Sequence, residues 1–231
     1  MNAVAGGGSF LTFPALVFTG VPSVIANASS TVALFPGSFA SAWAYRRDFE
    51  HFENIPFKAS LAVSLAGGVT GALLLLFTSQ RAFDAVIPWL LAMATVLFSF
   101  GPKLAPMLSR RFHIGVKTAL CAQYVVAIYG GYFGGAVGII MLALFSLLGL
   151  TDIRSMNALK TLLGGSMNAV AVVCFVIAGK VWWPQTLVML VGSVAGGYIG
   201  AHYSRKLNPK LMRAVIVAIG VIMTVVFFSR S

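Results

Sequence analysis

The sequence predicts an all-α membrane protein built as an inverted repeat, each half a glycine-broken re-entrant hairpin followed by three transmembrane helices. Three observations predict it. Of the 231 residues, 59% are hydrophobic and only 9% charged, and the mean hydropathy is +0.93, more apolar surface than a water-soluble domain of this length could hide in one core. Glycine clusters interrupt two apolar stretches, at Gly6-Gly7-Gly8 and at Gly130-Gly131, Gly134-Gly135 and Gly138. A polar signature, NASST at Asn27 to Thr31, recurs 130 residues later as NALKT at Asn157 to Thr161.

A hydrocarbon core roughly 30 Å thick needs about 20 apolar residues per helix. Cutting the chain at charges, prolines and glycine clusters gives spans at 22–45, 57–78, 85–100, 155–179, 183–200 and 211–228. The stretches 8–20 and 114–149 carry the glycine breaks and do not read as simple spans. If 114–149 enters and leaves on one face and the six spans alternate around it, the basic residues sort by side. One face collects Arg46, Arg47, Lys58, Lys103, Arg110, Arg111, Lys117, Arg154, Arg205, Lys206, Lys210 and Arg213, the other only Arg81, Lys180 and Arg230. By the positive-inside rule the first face is cytoplasmic. A simple span at 114–149 would scatter those charges over both faces, so the hairpin is preferred. The expectation is a multi-pass protein of a bacterial-type inner membrane, with loops 46–58, 101–117 and 201–213 in the cytoplasm. No removable signal peptide is read at Met1. Trp43, Trp182 and Trp183 fall at span ends, where interfacial anchors belong.

The whole chain, 1–231, reads as a single transmembrane domain, with repeat 1 at about 1–100, a junction at 101–113 and repeat 2 at about 114–231. In both copies a glycine-rich break precedes a short apolar helix, a glycine turn (Gly20, Gly149), the asparagine-bearing helix and two further spans. The charge argument sends the first asparagine helix toward the cytoplasm and the second away from it. Inverted repeats are common in secondary transporters, whose sites lie at the repeat interface near the midplane.

Other functions are disfavoured. The net charge of +11 sits in short loops beside apolar spans, where topology and anionic lipid account for it better than nucleic acid. The five acidic residues, Asp48, Glu50, Glu53, Asp84 and Asp152, all fall between the spans, as do His51, His113 and His202. That leaves no paired carboxylates, HExxH pattern or haem ligands for an intramembrane enzyme, so no catalytic residue, cofactor or metal is expected. Cys121 and Cys174 have no CxxC spacing and read as packing residues.

Glycine breaks create helix ends inside the bilayer, where unpaired N–H groups carry positive partial charge, and broken backbone is tolerated there only inside protein or along a wet cavity. Gly6, Gly7, Gly8, Gly134, Gly135 and Gly138 therefore mark a candidate pathway. Gly67-Gly68-Gly71 and Gly192-Gly196-Gly197-Gly200 read instead as helix packing. Asn157, Lys160, Thr161, Gly164 and Asn168 share one helical face, and Asn27, Ser30, Thr31 and Ser38 form the counterpart. Amides and hydroxyls replace water around an oxyanion, so Asn27, Ser30, Thr31, Asn157, Lys160, Thr161 and Asn168 are the candidate substrate-binding residues. Interhelical hydrogen bonding is the plainer use of such stripes. Lys160 is either an electrostatic anchor within the membrane or a stem reaching back to the cytoplasmic interface.

The resemblance extends further. GGGSFLTFPAL (Gly6 to Leu16), ANASSTVALFPGSFASAWAYRR (Ala26 to Arg47), the segment from Gly134 through NALKT to Pro184, and GGYIGAHYSRKLNP (Gly196 to Pro209) resemble the TauE/SafE-type exporters of sulfite and organosulfur anions. The likeness covers nearly the whole chain. It implies transport of sulfite, a sulfonate or another organosulfur anion. Such proteins usually carry an apolar helical segment before the first glycine cluster, matching 114–133 here. Only Met1 to Ala5 precede it in this chain, so the first hairpin is expected to be truncated. An accessory or scaffold membrane subunit is the alternative. The expected partners are a small anion and membrane lipid, with a homo-oligomer left open.

Overall fold

The computed structural model describes residues 8–44, 56–111, 114–203 and 209–230. Among them are nine α-helices and no strand: α1 (Ser9–Phe18), α2 (Ser23–Ala44), α3 (Phe57–Phe77), α4 (Gln80–Arg111), α5 (Val116–Tyr132), α6 (Val137–Leu147), α7 (Ile153–Ile177), α8 (Trp183–Tyr203) and α9 (Pro209–Arg230). The expected all-α class holds. α3, the part of α4 from Gln80 to Gly101, and α7 are long and apolar enough to cross a membrane, while α1, α6 and the Ala214–Ser229 stretch of α9 are shorter apolar helices.

Helix ends follow local chemistry. α1 and α6 stop alike: Gly20 and Gly149 take φ of +85° and +89°, a conformation open to glycine without a Cβ penalty. The amide that follows each then reaches back into the last turn, Val21 N to Leu16 O at 3.2 Å and Leu150 N to Phe145 O at 3.1 Å. α7 starts on Asp152, whose carboxylate accepts the Ser155 amide at 2.8 Å and the Ser155 hydroxyl at 2.6 Å.

The 114–149 stretch consists of α5, a break at 133–136, and α6. Its two ends lie together, because the Ile114 amide donates to the Leu147 carbonyl at 3.1 Å. α3 packs along α5 and α7, α2 along α7 and α8, and α4 along α9 and α6, with α1 against α2 and α9. The α3–α5 pair is close enough to demand glycine. A Cβ on Gly71 would stand 2.1 Å from the Ile128 carbonyl oxygen, and one on Gly131 2.4 Å from that of Gly68. The packing role expected of Gly67-Gly68-Gly71 is thus seen directly.

Two apolar cores result. One gathers Phe10, Phe13, Phe83, Phe98 and Phe133 from α1, α4 and the break; Phe13 is fully buried, edge-on to Phe83 and Phe133 and stacked on Phe227. The other joins α5, α6 and α7 through Ala127, Met141, Phe145, Met156, Leu159, Leu163 and Met167.

Some expectations differ from the structure. The span at 85–100 belongs to a helix running from Gln80 to Arg111. It starts earlier because the Ser79 hydroxyl accepts the Ala82 amide at 3.3 Å, and Gly101 is buried with Ile139 of α6 against it. At 1.5 Å per residue the 32 residues make about 48 Å, longer than a hydrocarbon core roughly 30 Å thick. Asp84 consequently sits inside α4 rather than between spans. It remains exposed and accepts hydrogen bonds from Ser23 of α2 and from Gln80, the latter at 3.1 Å. Cys121 is exposed rather than packed, whereas Cys174 packs against the first core. Gly6, Gly7, residues 46–55 of the first expected cytoplasmic loop and 204–208 of the last lie outside the described residues.

Candidate functional site

α2 and α7 pack on each other, and a cavity opens where α1, α2, α5, α6 and α7 converge. Its volume is about 80 Å³, several times the roughly 10–15 Å³ that one water needs. From α2 it is lined by Thr31, Leu34 and Ser38, and from α7 by Lys160, Thr161, Gly164, Gly165, Met167 and Asn168. The end of α5 contributes Gly130, the break Gly134, and the start of α6 Val137 and Gly138, with Met141 one turn further on. Ser9, the first residue of α1, and Val137, the first of α6, both reach it. Gly134 has φ +79°, and Ala136 keeps φ +61° despite its Cβ, a strained conformation for a non-glycine residue. The Tyr129 hydroxyl donates to the Gly135 carbonyl at 2.6 Å and pins the turn from within.

Lys160 is the sole charged side chain among the lining residues. It is 6% exposed, and its Nζ donates to Asn157 Oδ1 at 2.7 Å. Its stem lies against the break, with Cδ 3.2 Å from where a Gly138 Cβ would be. Asn157 is tied to its own helix by donating to the Ile153 carbonyl at 2.9 Å. The cavity thus holds one buried cation beside a neutral amide, with no carboxylate among its lining residues. Thr31 and Thr161 make matching contacts, each donating its hydroxyl to the carbonyl four residues back, Asn27 at 3.0 Å and Asn157 at 2.9 Å; their lone pairs remain for a guest.

Of the candidate residues, Thr31, Lys160, Thr161, Asn168, Gly134 and Gly138 line the cavity. Gly6 and Gly7 lie outside the described residues, and the remaining candidates stand behind the cavity. Asn27 is buried and donates to the Tyr132 carbonyl at 2.8 Å, which satisfies an end group of α5. Ser30 shares a 2.5 Å hydrogen bond with Thr12 of α1. Asn157 holds Lys160, Gly135 supplies the carbonyl to Tyr129, and the Gly8 carbonyl accepts the first amides of α1, from Leu11 at 3.0 Å and Thr12 at 3.1 Å. Sequence reasoning missed Ser9, Leu34, Gly130, Val137, Met141, Gly165 and Met167. Val137 and Met141 stand four apart just after the break, a spacing that places them on one face. Leu34 and Met167 gave no signal, being apolar residues in apolar helices.

The sequence profile described as "Sulfite exporter TauE/SafE" matches residues 1–227. Among similar proteins, the "Probable membrane transporter protein YfcA" of Escherichia coli (strain K12) is 29% identical over 225 residues, covering 97% of this chain and 83% of that protein. A "Probable membrane transporter protein" of Haemophilus influenzae is 27% identical over 226 residues, covering 97% and 88%. The "Probable membrane transporter protein ORF9" of Sinorhizobium sp is 25% identical over 227 residues, covering 97% and 86%. No solved structure gives a significant match.

Proposed function

Given that this chain belongs to the TauE/SafE sulfite exporter family and is a membrane transporter, we propose that it carries a small anion through the cavity between α2 and α7. The single observation that carries this reading is Lys160: a buried lysine facing a cavity with no carboxylate in its lining. An unpaired buried cation is costly. An anion in the cavity supplies the missing charge, and nearby amide and hydroxyl groups replace part of its lost hydration. The first residues of α1 and α6 line the same space, so two helix N-termini add positive partial charge there. The family's name points to sulfite or another sulfur oxyanion as cargo.

In this reading the two halves form an inverted repeat. The packing supports it: exchanging α1 with α6, α2 with α7, α3 with α8 and α4 with α9 turns the α2–α8 contact into α7–α3 and the α1–α9 contact into α6–α4. The α4–α9 and α2–α7 contacts map onto themselves. The hydrogen bond joining Ile114 to Leu147 supports a hairpin that enters and leaves on one face. Together with the asymmetry of basic residues, it supports a multi-pass inner-membrane protein with loops 46–58, 101–117 and 201–213 in the cytoplasm.

The test is flux in proteoliposomes containing the purified chain, against sulfur oxyanions, carboxylates and halides. Lys160→Met is expected to lower anion flux at least about tenfold, the scale set by losing one charge-assisted contact of about 1.5–3 kcal/mol, while the protein still inserts and unfolds cooperatively. Undiminished flux in that variant overturns the anchor role.

A further inference from the structure

Gly164 and Gly165 lie in the interior of α7, where glycine is among the poorest helix formers. Neither has the positive φ that would demand glycine. Close packing does not demand it either. A Cβ on Gly164 would meet only Met167 Cε at 3.7 Å and Met141 Sδ at 4.0 Å, which is ordinary contact, and one on Gly165 would meet nothing within 4 Å although Gly165 is buried. The contrast with Gly138 and Gly130 in the same lining is clear, since a Cβ there would stand 3.2 Å from Lys160 Cδ and 2.8 Å from Met167 Sδ. What the bare backbone at 164 and 165 does is leave cavity. That space lies one turn beyond Lys160 on the same helix and is bounded by the thioethers of Met141 and Met167, soft apolar groups that adapt to irregular shapes. Asn168, four residues beyond Gly164 on the same helix, also lines the cavity.

We propose that the Gly164–Gly165 pair is the size filter of the transport site, leaving room for a short apolar substituent on a singly charged anion whose head lies at Lys160. The substituent rests over the glycines and against Met141 and Met167. The proposal rests on the anion-transport reading and sharpens it. One cation in the lining balances one negative charge, so a small dianion binds with a charge left over. A methyl group in place of either glycine hydrogen fills the space a substituent would occupy.

The experiment is flux of linear alkanesulfonates, methane- to butanesulfonate, with sulfate for comparison, in proteoliposomes of the full chain. These probes keep one fixed charge and differ only in tail length. The wild-type protein is expected to carry the short sulfonates and to be inhibited by them more strongly than by sulfate. Gly164→Ala and Gly165→Ala are expected to cost flux in proportion to tail length, the longest transported member losing about tenfold more than methanesulfonate, the effect of about one methylene in a pocket. Both are also expected to raise the thermal midpoint, since alanine favours the helix. A loss of equal size for every chain length would assign the glycines to flexing of α7 and overturn the filter, as would no change at all. Preference for sulfate over methanesulfonate overturns the single-charge assignment while leaving anion transport standing. Absence of flux for every anion in the wild-type protein removes the anion reading, and the filter with it.

Discussion

At the scale of single residues, the two asparagines of the repeated motif separate in role. They stand at equivalent positions, yet Asn27 is spent on the Tyr132 carbonyl and Asn157 on the Lys160 ammonium. Spacing made them look alike, and their neighbours made them differ, because the first motif has Ser30 where the second has Lys160. Asp152 shows a residue whose role does follow from its local sequence. The Ser155 hydroxyl and then the Ser155 amide hold its carboxyl below the ordinary 3.8, so the cap is fully formed above that value and weakens as pH falls through the lower folded value. Asp152→Ala is expected to lower the thermal midpoint at pH 7, and Asp152→Asn to keep most of the cap. The gap between wild type and Asp152→Ala should close as pH drops below the carboxylate range, and thermal scans across pH in detergent would show it. A gap that widens in acid would contradict the capping role.

At the scale of elements, glycine patterns that look the same serve different ends. Gly67 and Gly71 on α3 let α5 come within backbone contact and Gly68 does the same for α7, whereas Cβ atoms on Gly192 and Gly196 of α8 would meet nothing within 4 Å. Gly71→Ala is therefore expected to destabilise by about 1–3 kcal/mol through overpacking of the α3–α5 seam. Gly192→Ala is expected to be neutral or stabilising by up to about 1 kcal/mol through helix propensity. Unfolding of the purified variants distinguishes them, and equal effects would refute the asymmetry. The break at 133–136 was legible as a break from its glycines alone. That it would be held by the Tyr129 hydroxyl, by Asn27 from another helix and by an alanine at positive φ was not, since each depends on which elements meet there.

At the scale of the whole molecule, the distribution of charge and the hairpin's joined ends make one prediction about sidedness. In a background with Cys121 and Cys174 replaced by alanine, Ser79→Cys and Lys180→Cys are expected to react with a membrane-impermeant thiol reagent outside intact cells. Gly115→Cys and Arg154→Cys should react only after the membrane is opened, because the proposed hairpin, with Ile114 bonded to Leu147, puts both ends of α5–α6 on one side. Labelling of Gly115→Cys and Arg154→Cys from opposite sides would break the hairpin assignment.

The sequence by itself determined what depends on composition and local chemistry. Hydropathy set the helical membrane class, the glycine cluster at 130–138 set the break between α5 and α6, Gly20 and Gly149 set where α1 and α6 stop, and the motif at Asn157 marked Lys160, Thr161 and Asn168 as a polar face. Only the tertiary structure decided which polar groups face the cavity and which stand behind it. A helical stripe covers a wide arc, and whether a side chain on it meets a neighbour's backbone or open space is settled by how the helices cross. The same reason hid Leu34 and Met167, whose apolar side chains differ from their neighbours only in what lies opposite. It also hid the meaning of Gly164 and Gly165, because empty space beside a glycine is a property of packing and has no trace in the chain.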